Sequence, residues 1–146
     1  MKLVLLKQGI HTDKGSEGNP EIENHISKIC SAVVLLKAEN SGEKNIIVDT
    51  GSNGYADEIL TSLKKEGLKP EDIEFVLITH NHLDHVFNTY LFGNASIVRG
   101  RVVDYPNKTL TMYRSSDSIR IPGVTFLATP GHVENHTSYA VKSGGK

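Results

Sequence analysis

Thr79-His80-Asn81-His82-Leu83-Asp84-His85 is the stretch on which the reading of this chain turns. It follows directly on Phe75-Val76-Leu77-Ile78, a continuously apolar run of the kind found in strands buried on both faces. A strand is therefore expected over Glu74 to Thr79, with the histidines where it ends and a short helix over Asp84 to Phe92 beyond them. On a helix His80 and His82 would point about 200° apart, whereas on extended or turning backbone residues two apart face the same side. The spacing suits a metal site on a loop just past a strand end, and imidazole nitrogens at this density suit zinc or another borderline divalent ion. A second reading stays beside it: a solvated loop in which Asp84 caps the helix that follows, a role Asp84 can combine with metal binding.

Further along, Thr129-Pro130-Gly131-His132 again sets a histidine just after an apolar run, Val124 to Ala128. Pro and Gly fix a tight turn that presents His132. His80, His82 and His132 together would make an open tetrahedral site with water in the fourth position. Such an ion lowers the pKa of its water toward about 7 and so yields a hydroxide nucleophile at neutral pH. Asp84 and His85 point to a second ion, or to orienting and deprotonating that water.

Outward from these segments, strands are expected over Lys2 to Lys7, Lys28 to Ala38, Asn45 to Asp49, Ala95 to Val98, Ser118 to Ile121, Val124 to Ala128 and Ser138 to Lys142. His11 to Glu23 reads as a polar loop, and Glu39 to Glu43 as the turn of a hairpin whose return strand ends at Asp49-Thr50-Gly51. Over Tyr55 to Glu66 the apolar positions Ile59, Leu60 and Leu63 recur at helical spacing, and Gly67 follows as a C-terminal cap. No repeat or low-complexity tract interrupts this order, so it is that of one α/β unit.

The chain has 146 residues, enough for one domain over 1–146 that buries roughly two-thirds of its unfolded surface. Its 16 Lys and Arg against 17 Asp and Glu give a formal net charge of -1, so no global basic field attracts nucleic acid or an anionic membrane. Seven histidines are the unusual feature of the composition. The single cysteine, Cys30, is expected to be a buried strand residue, because one cysteine cannot close an intrachain disulfide. The opening MKLVLLKQG fits neither a signal peptide nor a membrane span, and a cytoplasmic compartment is expected. His11, His25 and His136 read as surface or hydrogen-bonded histidines. Arg99, Arg101 and Arg114, with Tyr90, Tyr105 and Tyr113, read as scattered surface residues, the other reading being a substrate groove.

THNHLDH resembles the HxHxDH signature of the metallo-β-lactamase-fold hydrolases, and IIVDTG (Ile46 to Gly51) and TPGH (Thr129 to His132) resemble that superfamily's flanking motifs in the same order. The chain is most similar to its small single-domain members. The resemblance implies an αββα sandwich in which His80, His82 and His132 bind the first metal, and Asp84 and His85 belong to the second. It also makes Asp49 a carboxylate that braces the metal loop. The implied cofactor is one or two zinc ions, with iron or manganese as other occupants. The relative that reduces oxygen at a di-iron centre usually has Glu where this chain has His82, which favours the hydrolytic zinc branch.

The second half of such a sandwich supplies a bridging Asp and one more His, and no Asp occurs after Asp117. The expectation is a domain incomplete at its C-terminus, holding the first half of the sandwich plus the start of the second. An apolar face would then be exposed and would favour a homo-oligomer or association with a completing segment. The function expected is hydrolysis of an ester, thioester, lactone or phosphodiester in a small molecule rather than in nucleic acid. Asp84 is the catalytic group of that reading, and activity of the isolated chain is expected to be weak or absent. The other function is a non-catalytic metal-binding or assembly module, or a fragment completed by another chain.

Overall fold

The computed structural model describes residues 1–11, 29–100, 102–106, 114–115 and 119–142. Most of the loop expected over His11 to Glu23, and with it His25, Arg101 and Tyr113, lies outside the described residues.

A seven-stranded sheet forms the centre, in the order β1-β4-β5-β6-β7-β8-β9. Its strands are β1 (Lys2–Lys7), β4 (Val33–Lys37), β5 (Ile46–Val48), β6 (Phe75–Ile78), β7 (Ser96–Arg99), β8 (Val102–Asp104) and β9 (Arg114–Ser115). Two short strands, β2 (Ile10–His11) and β3 (Ile29–Cys30), pair apart from it, as do β10 (Val124–Ala128) and β11 (Thr137–Val141). The middle strands β5, β6 and β7 run parallel, and the outer pairs are antiparallel. Parallel neighbours need crossovers, which here are the helix α1 (Ala56–Lys65) between β5 and β6, and α2 (Leu83–Val86) with a 3-10 turn (Phe87–Phe92) between β6 and β7.

Alternation along β6 explains its apolar run. Val76 and Ile78 face the side of Ile59 and Leu63 on α1, while Leu77 faces the opposite side with Leu36, Ile46, Val98 and Val103. Phe126, Tyr139 and Val141 of the β10–β11 hairpin pack on that second side. The layers are therefore helix, sheet and hairpin. The hairpin covers the middle of the sheet face expected to stand open, where Leu77 and Val98 are fully buried, whereas at the β1 edge of that face Leu3 and Leu5, opposite Leu36 and Val34, stay 57% and 54% exposed.

Helix α1 carries Asp57 and Glu58 in its first turn and Lys64 and Lys65 in its last, both favourable to the helix dipole. Gly67 follows at φ 77, and its N–H closes onto the Lys64 carbonyl, so the expected glycine cap is present.

Four expectations need correction. The strand expected over Lys28 to Ala38 breaks into β3 and β4, because the Ser31 N–H leaves the sheet to bond the Asp84 carbonyl. No strand forms at 119–121, where the chain crosses to the β10 hairpin. The helix expected over Asp84 to Phe92 begins at Leu83 and gives way to a 3-10 turn that is non-helical at Asn88. Its N-cap is His82, so Asp84 sits within the first turn and is not the cap. Strands β8 and β9 carried no recognised signal in the sequence. Cys30 is buried as expected, its sulfur accepting the Ser52 N–H at 3.3 Å.

Candidate metal centre

In open α/β sheets, ligands gather beyond the carboxyl ends of the parallel strands. Here β5 runs out into Asp49 and β6 into Thr79-His80, and the Asp49 N–H bonds the Leu77 carbonyl at 2.9 Å, which locks the two ends side by side. Asp49 has φ 53, a left-handed conformation that Asp tolerates better than most residues. Gly51 follows at φ 70, and a Cβ there would stand 3.2 Å from both Cys30 Sγ and Val33 Cγ2. Only glycine fits this turn without strain.

The turn is held from the helix side. Thr50 donates its N–H to the His85 carbonyl at 2.7 Å, and the buried Asn88 donates from Nδ2 to the Thr50 and Ser52 carbonyls, each at 2.8 Å. Those two bonds account for the polar side chain at the kink of the 3-10 turn.

Within this frame, His80 Nε2 and His132 Nε2 each lie 3.1 Å from His82 Nδ1. One ligand atom from each of these residues falls within 4.8 Å of the other two. Donors held at 2.0–2.1 Å around a tetrahedral ion stand roughly 3.3 Å apart, close to the two 3.1 Å separations that His82 makes with His80 and His132. His82 Nδ1 carries at most one hydrogen and cannot satisfy both neighbours, whereas a cation accepts all three lone pairs at once. Among the described residues no other three His, Cys, Asp or Glu side chains converge in this way.

Asp84 and His85 stand beside this group without joining it. His85 Nδ1 donates to Asp49 Oδ2 at 2.7 Å, and its Nε2 lies 3.4 Å from Asp84 Oδ2. The imidazole thus bridges two carboxylates, with Nε2 and Asp84 Oδ2 spaced as two donors around a second ion would be. Thr79 is the hub: its N–H and hydroxyl both donate to Asp49, each at 2.8 Å, and its oxygen lies 3.1 Å from His80 Nδ1. With the hydroxyl hydrogen spent on Asp49, the contact with His80 runs as Nδ1–H to oxygen, which leaves the Nε2 lone pair toward His82.

Electrostatics separate the two rings. Burial, followed by the neighbouring His85 and His82 charges, pulls the His80 pKa down to about 4, so the ring is neutral and able to bind metal at neutral pH. Burial also pulls on His85, but the Asp49 hydrogen bond and the charges of Asp49 and Asp84 outweigh it, and its pKa lies above the ordinary value.

His132 sits in the loop between β10 and β11, which Thr129 closes through its N–H to the His136 carbonyl at 3.0 Å. His136 makes a 2.8 Å contact from Nδ1 to the Thr129 hydroxyl and is not among the converging donors. It lines a cleft of about 610 Å³ that also reaches His80, Asn81, Phe126 and Pro130. Arg99 pairs with Asp104, and Tyr90 is exposed.

Residues 29–115 match the model of the Metallo-beta-lactamase superfamily. The chain is 33% identical over 120 residues to Metallo-beta-lactamase domain-containing protein 1 of Xenopus laevis, covering 73% of this chain and 50% of that protein. It is 31% identical over 101 residues to an N-acyl homoserine lactonase of Bacillus cereus, covering 60% of this chain and 40% of the lactonase. The chain therefore spans half or less of the length of these relatives. Among solved structures, a Thermotoga maritima protein described as a metallo-beta-lactamase superposes with a TM-score of 0.70 over 96% of this chain and 72% of its own, at 24% identity, a likeness of fold.

Proposed function

The chain belongs to the metallo-beta-lactamase superfamily, and on that premise we propose that its three converging histidines form the first metal position of a zinc-dependent hydrolase. The observation that carries this reading is the placing of His80, His82 and His132 donor atoms within 4.8 Å of one another. A zinc ion there, or iron or manganese in its place, supplies a Lewis acid that polarises a substrate oxygen and lowers the pKa of water toward about 7.

The remaining tasks belong to the chain's own side chains. Asp49 fixes His85 through Nδ1 and so turns Nε2 toward Asp84. In this reading Asp84 holds the attacking water and takes its proton, and with His85 it would supply donors to a second ion. The cleft of about 610 Å³, with Phe126, Ala128 and Pro130 beside Asn135 and His136, suits a small molecule.

The bond attacked is that of an ester, thioester, lactone or phosphodiester, with a small ester or thioester preferred. A net charge of -1 provides no general attraction to nucleic acid. The relative named for acting on an N-acyl homoserine lactone supports acyl chemistry. A cytoplasmic setting is part of the proposal; among the described residues no helix is long and apolar enough to cross a membrane.

In a second reading the chain is a metal-binding or assembly module that works with another copy or segment, a role that the exposed Leu3 and Leu5 on the β1 edge would serve. The two separate when the zinc-loaded chain is assayed on an aryl ester, a lactone, a thioester and an aryl phosphodiester, with chelator and His132→Ala as controls. Zinc-dependent turnover lost in both controls supports the hydrolase. Bound zinc with no turnover on any of the four, and a dimer by size-exclusion chromatography, supports the module.

A further inference from the structure

We propose that the Tyr139 hydroxyl is a positioning group for the metal centre, setting the spacing between His132 and the His80–His82 pair through its bond to the Ile78 carbonyl. The inference rests on the metal reading above and extends it to a residue outside the ligand set.

His80 and His82 follow β6, whereas His132 arrives on a separate hairpin about fifty residues later, so no covalent geometry fixes their mutual placement. Yet His132 Nε2 must stand 3.1 Å from His82 Nδ1. Two hydrogen bonds tie the hairpin to the end of β6. The Thr137 N–H donates to the Thr79 carbonyl at 2.9 Å, and the Tyr139 hydroxyl donates to the Ile78 carbonyl at 2.8 Å. Both acceptors immediately precede His80. Because Thr129 and His136 close the base of the His132 loop, a shift of β11 is passed on to His132.

Of the two ties, only the Tyr139 bond comes from a side chain. The ring itself is held independently, edge-on to Phe126 at a centroid distance of 5.3 Å. Tyr139→Phe therefore removes one oxygen, keeps the packing and leaves the Ile78 carbonyl without that donor. Groups bonded directly to a ligand typically affect metal affinity by 10–100-fold, and Tyr139, acting one step further back through Ile78, belongs at the low end of that range.

The test is zinc affinity, measured by competition with a chromogenic chelator at a temperature where circular dichroism shows every variant folded. Tyr139→Phe is expected to bind zinc about tenfold more weakly than the unaltered chain. Phe126→Leu, which disturbs the same packing without touching Ile78, is expected to lower Tm and keep the affinity. Equal affinity in Tyr139→Phe and the unaltered chain overturns the proposal, as does an equal loss in Phe126→Leu. Failure of the unaltered chain to bind zinc overturns the metal reading and this proposal with it.

Discussion

The Thr79 hydroxyl stands between Asp49 and His80, 2.8 Å from Oδ2 of the one and 3.1 Å from Nδ1 of the other. Through it one carboxylate orients two rings, His85 directly and His80 by way of the hydroxyl. A neutral imidazole binds metal through whichever nitrogen lacks the proton, so fixing Nδ1–H on His80 dedicates Nε2 to the ion.

Thr79→Val keeps the shape of the side chain and removes the hydroxyl's contacts with Asp49, His80 and His85. Zinc affinity is expected to fall by about 10–100-fold, read by chelator competition. Affinity equal to that of the unaltered chain would show that the hydroxyl does not orient His80.

In the metal-free chain, His80 and His85 contribute to the pH dependence of stability with opposite signs. His80 titrates at about 4 in the fold, below its unfolded value near 6.5, so its contribution is full above pH 6.5 and is lost as pH falls toward 4. His85 is raised, so its contribution is full below about pH 6.5 and fades as pH rises through the folded value. NMR titration of the imidazole Cε1–H signals should give a His80 midpoint well below that of His85. Coincident midpoints would contradict the assignment of environments.

Asp49→Asn suits the same left-handed backbone while removing the charge that faces His85. The His85 midpoint is expected to drop, because the remaining burial favours the neutral ring. An unchanged midpoint would mean that Asp49 does not hold the His85 proton.

Gly51→Ala places a methyl 3.2 Å from Cys30 Sγ and Val33 Cγ2 on a backbone at φ 70. The expected loss is about 1–3 kcal/mol in urea unfolding of the metal-free chain. A loss within the error of the measurement would show that the turn relaxes freely.

Much of the fold was legible because its signals are local. The apolar run Phe75 to Ile78 marked β6, the helical spacing of Ile59 and Leu63 marked α1, and the paired histidines of THNHLDH marked a loop beyond a strand end. What escaped the sequence depends on partners far along the chain. Thr79 bonds Asp49 across 30 positions, Asn88 bonds Thr50 across 38 and Tyr139 bonds Ile78 across 61. Thr79 opens the histidine motif and could have been singled out there, but Tyr139 looks like any aromatic residue in a half-buried strand. The same kind of distant tie, Ser31 to Asp84, broke a strand that propensity alone would have continued.

The most direct test of the metal assignment is X-ray absorption at the zinc edge of the zinc-loaded chain, beside His82→Ala. The account predicts one zinc bound by three imidazole nitrogens at about 2.0–2.1 Å, and loss of that signature in His82→Ala. An identical spectrum and stoichiometry in His82→Ala, or zinc bound without imidazole scattering, would contradict it.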